Sequence, residues 1–286
     1  MSPKKRQLDF PRLVGVIHLP PLGDAPRGGR GKTAAELLEE AGNWAISEAI
    51  LLQRAGFEAI IVENFGDAPF FKGPVPPETV ASMSVIVAAL KEVLRIPLGI
   101  NILRNDARSA LAVAAVTGSE FIRVNVLSGA AATDQGLIEG EAATLMRERA
   151  RLAPDVRVFA DVHVKHARTL HSDSIVLGAE EAIERSLADA VIVTGATTGR
   201  PIGLTELETA YRAARLAGAP LYVGSGMTPE HLIDFLPLCD GVIVGSALRK
   251  GRKAGAKLDP SAVKKFVTAF KRGPKGTAKR AGKRTR

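Results

Sequence analysis

The chain has 286 residues, 46% of them hydrophobic, enough to bury a large core as one big α/β domain or two smaller ones. It carries 39 Lys and Arg against 30 Asp and Glu, but ten of the basic residues and no acidic one lie between Lys264 and Arg286, so residues 1–263 have a net charge of −1 and the basic balance belongs to the C-terminal end. No apolar run reaches the ~18 residues of a membrane span, Met1 to Arg6 lead into no signal-peptide core, and the single cysteine, Cys239, permits no internal disulfide, which together point to the cytoplasm.

After an extension over residues 1–10, strand-like apolar runs alternate with amphipathic helical stretches. Leu13–His18 is the first strand. A Pro/Gly-rich loop follows, and Thr33-Ala-Ala-Glu36 is a capping box opening a helix that runs to Ala55 and stops at Gly56. Ala59–Glu63 is the second strand, followed by a long loop from Asn64 to Pro77 and a helix over 78–94. Strands at 97–101 and 121–125 flank an Ala-rich helix over 107–116. A helix over 141–152 leads to the fifth strand, 156–161, which continues as Asp161-Val-His163-Val-Lys165-His166. Then come a helix over 174–187, a strand over 190–194, and a second capping box, Thr205-Glu-Leu-Glu208, whose helix closes at Gly218. Leu221–Gly224 and Gly241–Gly245 are the last strands, the first followed by a helix starting at Thr228-Pro229, the second by one running from Asp259-Pro260 to Phe270.

Eight β–α units in order predict a (β/α)8 TIM barrel as a single domain over 11–270, close to the usual ~250 residues. An open doubly wound sheet would place a glycine-rich dinucleotide fingerprint after the first strand, where His18-Leu-Pro-Pro-Leu-Gly has the wrong spacing. Residues 271–286 mix Gly, Pro and like charges and read as a disordered basic tail, solubilising or in weak contact with nucleic acid or anionic membrane.

In a barrel the reactive groups sit at the C-terminal strand ends. Here those ends are His18, Glu63, Asn101, Asn125, Asp161 with His163 and Lys165, Thr194, Gly224-Ser225 and Gly245-Ser246. Side chains two apart on a strand share a face, so Asp161, His163 and Lys165 project together. Polar strand ends are expected wherever strands meet solvent, but recurring Asn and His in place of Lys and Glu favour a ligand site, with Asn101, Asn125 and Thr194 contacting substrate. Gly224-Ser225-Gly226, Gly245-Ser246 and Gly195 put small residues at the last three ends, where backbone N–H groups and a helix N-terminus can receive phosphate.

Gly15-Val-Ile-His-Leu-Pro-Pro-Leu-Gly23, Asp161-Val-His-Val-Lys-His-Ala167 and Val193-Thr-Gly-Ala-Thr-Thr-Gly199, with Gly224-Ser-Gly226, resemble the BtpA/SgcQ family over residues 11 to 270. The resemblance implies a barrel related to phosphate-binding barrels. Members are described variously as a photosystem I biogenesis factor, a nucleoside triphosphatase, or a protein associated with sugar metabolism.

With phosphate at strands seven and eight, the reacting atoms of a sugar phosphate-like ligand would lie over strands one to five. His163 is then a general acid or base that Asp161 orients, Glu63 or His18 its complement, and Lys165 an electrostatic stabiliser. A rival use of His18, Glu63, Asp161 and His163 is a divalent metal site, although no compact ligand motif supports it and no cofactor is predicted. The loops Leu19–Lys32 and Asn64–Pro77 are long enough for lids, and Phe65, Phe70 and Phe71 give the second an apolar underside or a homo-oligomer contact. Two function classes stand: an isomerase, epimerase or lyase of a phosphorylated small molecule, and a non-catalytic assembly factor that keeps a ligand cavity. Nucleoside triphosphate hydrolysis lacks a Gly-x-x-x-x-Gly-Lys-Ser/Thr loop.

Overall fold

In the computed structural model, residues 10–23, 25–28, 31–162, 167–170, 174–195 and 202–274 are described. Strands β1 (Leu13–His18), β2 (Ala59–Glu63), β3 (Leu98–Asn101) and β4 (Phe121–Val124) are joined by helices α1 (Ala34–Ala55), α2 (Pro77–Val93) and α3 (Ala107–Thr117). A hairpin of β5 (Ala130–Thr133) and β6 (Gly136–Glu139) precedes α4 (Ala142–Leu152), β7 (Arg157–Val162) and β8 (Ala167–Thr169). The chain continues through α5 (Ile175–Glu180), β9 (Ala190–Val193), α6 (Leu204–Leu216), β10 (Leu221–Val223), α7 (Leu232–Phe235), β11 (Gly241–Val244) and α8 (Pro260–Arg272).

Eight of these strands close into a parallel barrel in the order β1-β11-β10-β9-β7-β4-β3-β2, which is the expected (β/α)8 fold. The closing seam pairs Leu13 with Val242, Val14 with Ile243 and Gly15 with Val244. Period-two alternation decides what fills the barrel. Its lower interior is apolar, built from Val14, Val16, Ala59, Ile61, Phe121, Phe159, Ile192, Tyr222 and Ile243, with Phe10 packed against them. The aromatic members touch, with ring centroids 4.8 Å apart for Phe121–Phe159 and 5.1 Å for Phe159–Tyr222. The outward faces of the strands bury against the helices in a second, larger core.

Two sequence expectations need correction. The second capping box does not form: α6 starts at Leu204 with Gly203 as N-cap and no side-chain cap, so Thr205 is already inside the helix. The helix expected from Thr228-Pro229 is the four-residue α7, and a 3₁₀ turn, Ser246–Leu248, follows β11, so neither Gly-Ser loop feeds a long helix whose dipole could hold an anion. The small sheet β6-β5-β8 was not anticipated; it holds the chain just beyond the segment 163–166, which lies outside the described residues.

Candidate functional site

Above the apolar layers, the inward positions turn ionic. Arg123, which follows Phe121 on the inward face of β4, is 7% exposed and lies between two carboxylates. Its Nη2 donates to both Asp161 oxygens, at 3.1 and 3.0 Å, and its Nη1 to Glu63 Oε1 at 3.3 Å. Burial works against the guanidinium charge, but Asp161 and Glu63 outweigh it and raise the Arg123 pKa.

Asp161 also accepts from Asn125 Nδ2 at 2.6 Å. Because a carboxylate only accepts, this bond fixes the Asn125 amide: its Oδ1 faces Asn101 and takes a bond from Asn101 Nδ2 at 3.3 Å. Asn101 Oδ1, at the end of the chain of bonds, is buried and finds no donor among the described residues.

Glu63 keeps its second oxygen toward His18, with Oε2 3.8 Å from Nε2. The His18 ring stacks on Phe65 with centroids 4.5 Å apart and planes at 26°. Gly245 makes room for it, since a Cβ there would sit 3.1 Å from His18 Cε1.

These groups border a cavity of about 270 Å³ at the C-terminal strand ends. Its polar lining is His18, Glu63, Arg104, Arg123 and Asn125; Phe65, Phe70, Leu103 and Met227 supply apolar surface; Gly224-Ser225-Gly226 and Gly245-Ser246 complete it. Ser225 Oγ is buried there with no hydrogen-bond partner among the described residues. Arg104, 8% exposed, is the second guanidinium of the cavity; burial pulls its pKa down, against the attraction of Asp161.

The structure therefore brings together His18, Glu63, Asn125 and the Gly224–Gly226 and Gly245-Ser246 segments around one space. Asp161, Asn101 and Thr194 are buried beside it without lining it, and Gly195 too lies outside the lining. His163 and Lys165 lie outside the described residues, as does Gly199. Among the described residues no three His, Cys, Asp or Glu side chains come together as a metal-binding group, and the cation between Glu63 and Asp161 is Arg123. Arg104 was missed because it lies three residues past Asn101 in a loop, where strand periodicity gives no signal.

The two long loops are tied to each other. Gly66 N donates to Leu19 O at 2.9 Å, Leu22 N to Asp67 Oδ1 at 2.8 Å, and a Cβ on Gly66 would lie 2.3 Å from Pro21 N. A larger cleft, about 490 Å³, lies between α3, α4 and the β5-β6 hairpin, but there Arg108 is already spent on Glu148 through two bonds, of 3.0 and 2.6 Å.

Fold and site define a (β/α)8 barrel with a buried ionic cluster under a cavity at its C-terminal rim. A sequence model of the BtpA family matches residues 11–272, and the chain belongs to that family. It is 44% identical over 263 residues to the photosystem I biogenesis protein BtpA of Synechocystis sp., covering 92% of this chain and 89% of that one. Among solved structures it resembles thiamine phosphate pyrophosphorylase from Pyrococcus furiosus (TM-score 0.54, 16% identity, 91% of this chain and 96% of that one). It likewise resembles N-(5'-phosphoribosyl)anthranilate isomerase from Pyrococcus furiosus (TM-score 0.55, 16% identity, 91% and 99%). At such identities these two likenesses show the barrel fold. No helix among the described residues is long and apolar enough to cross a membrane.

Proposed function

We propose that this chain is an enzyme acting on a phosphorylated small molecule of sugar phosphate type, by acid–base isomerase, epimerase or lyase chemistry. The carrying observation is the cavity lining: the ionic group of Arg123, Glu63 and His18 lies beside paired Gly-Ser loops, on which Ser225 Oγ is buried with no hydrogen-bond partner among the described residues. An unpartnered buried hydroxyl costs stability unless a ligand completes it, and loop N–H groups beside it suit a phosphoryl oxygen. Both solved barrels named above carry a phosphorylated compound in their names, which supports the same ligand class. Glu63 and His18 are the proton-handling pair at the reacting atoms, Arg123 and Asp161 hold them in place, and Arg104 balances the ligand's charge. His163 and Lys165 are candidates for the same centre from their position after Val162.

A second reading follows from the name of the Synechocystis relative: an assembly factor that keeps the cavity as a binding site without turnover. The two separate on Glu63→Gln, assayed against a panel of phosphorylated metabolites. An enzyme loses about 10²–10⁴ in kcat while still binding its ligand. A binding factor shows no turnover in either form and keeps its affinity.

A further inference from the structure

Arg249 lies outside the cavity and is 1% exposed. A guanidinium so deeply buried is costly unless its N–H groups find acceptors; all but Nε, which has none among the described residues, do so. Nη1 donates to Glu48 Oε1 at 2.9 Å and to the Ala256 carbonyl; Nη2 donates to Glu48 Oε2 at 3.0 Å and to the Val16 carbonyl at 2.8 Å. One side chain thereby joins α1, β1 and the loop after β11. Glu48 adds a direct hold on that loop, accepting from Leu258 N at 3.0 Å. The loop's own ends are paired, with Lys250 N donating to Lys257 O at 3.0 Å and Asp259 N to Leu248 O at 2.8 Å.

The loop so fastened reaches back over the barrel mouth, and its Gly255 N–H donates to His18 Nδ1 at 3.2 Å. A nitrogen that accepts in the ring plane carries no proton, and a proton on Nδ1 would face the Gly255 N–H. The imidazole proton is thus on Nε2, which points toward Glu63 Oε2. Phe65, stacked on the ring, opposes its rotation.

We infer that the buried Glu48–Arg249 pair is a positioning device for His18, holding the loop whose Gly255 N–H fixes the imidazole as its Nε2–H tautomer and so presents a hydrogen-bond donor to the cavity. The sequence left Glu63 and His18 as alternatives for the acid or base that complements His163. With Nε2 carrying the proton, His18 serves a substrate oxygen as donor, and Glu63 is the proton acceptor. These catalytic roles rest on the function proposed above; the tautomer and its anchor do not.

The test is nuclear magnetic resonance on deuterated, 15N-labelled protein. The wild type is expected to show His18 as the Nε2–H tautomer, with a through-hydrogen-bond coupling between the Gly255 nitrogen and His18 Nδ1. Arg249→Lys keeps the charge and loses the two-pronged fork, so that coupling should vanish and His18 should become a mixture of tautomers while circular dichroism still reports the barrel. A proton on Nδ1 in the wild type overturns the inference, and so does an unchanged tautomer and coupling in folded Arg249→Lys. If Arg249→Lys does not fold, hydrogen exchange in the wild type decides: a Gly255 amide as protected as that of Leu258 supports a loop held as one unit, and free exchange at Gly255 overturns it. A panel of phosphorylated compounds that failed to bind would sink the proposed function and leave these signals untouched.

Discussion

Asp161 shows how a single side chain sets the geometry around it. It is 8% exposed and its described partners are Arg123 and Asn125, so removing it leaves a buried guanidinium with only its longer bond to Glu63 and frees an amide whose orientation it fixed. Asp161→Ala should cost about 3–5 kcal/mol in urea unfolding, the usual penalty for breaking a buried ion pair from one side. A cost below ~1 kcal/mol would mean that Arg123 does not depend on it. Strand parity made the shared face of Asp161, His163 and Lys165 legible in the sequence, and the same period of two puts Arg123 on the face of Asn125. Parity does not say which inward charges meet, because that depends on the registers of β4 against β7 and of β2 against β3, set by contacts far apart in the chain. The Gly255 hold on His18 was invisible for the same reason: the two residues are 237 positions apart and joined through a loop.

Among the elements, local signals succeeded where the local chemistry was complete. Thr33 and Glu36 form a reciprocal capping box at the start of α1, and Gly56 closes it in the left-handed conformation. The Thr205–Glu208 spacing looks the same, yet Gly203 caps α6 and the Thr205 carbonyl instead accepts from the Thr209 hydroxyl at 2.8 Å. Thr33→Ala should therefore cost about 1 kcal/mol, whereas Thr205→Ala should change stability by no more than ~0.5 kcal/mol. Equal losses in thermal unfolding would contradict the assigned caps. The hairpin of β5 and β6 escaped notice because Ala130-Ala-Ala-Thr133 is mostly alanine, with one β-branched residue and no aromatic to mark a strand, and its pairing with β8 is a tertiary choice.

For the whole molecule, the count of eight β–α units implied closure, but the seam itself joins residues more than 200 positions apart and is readable only in the structure. The barrel also protects groups that would titrate in the unfolded chain. Burial, with Asp240 adding to it, pushes the Cys239 thiol from 9.0 up to about 12, and burial pushes the Tyr222 phenol up as well while its hydroxyl donates to Pro11 O at 2.8 Å. Both shifts disfavour the anion in the fold. The Cys239 contribution is complete below pH 9.0 and is lost as pH rises toward about 12, and the Tyr222 contribution starts to fall only above pH 10.0, because the unfolded chain releases these protons more readily. The unfolding free energy from urea titrations should fall between pH 9.0 and about 12, at up to about 1.4 kcal/mol per pH unit for Cys239 with Tyr222 adding above pH 10.0, urea midpoints should fall with it, and the fall should be shallower in Cys239→Ala. A pH-independent midpoint, or the same slope in that variant, would refute the assignment.

Melting temperature reports whether the cavity at the strand ends receives a phosphorylated molecule on its Gly-Ser loops. A phosphorylated ligand at 100 times its Kd should stabilise the wild type by about 2.7 kcal/mol. Ser225→Asp, which sets a carboxylate against the phosphoryl group, should fold and lose that gain. If no phosphorylated compound in a broad panel raises the melting temperature, or if Ser225→Asp responds as the wild type does, the cavity does not bind phosphate there.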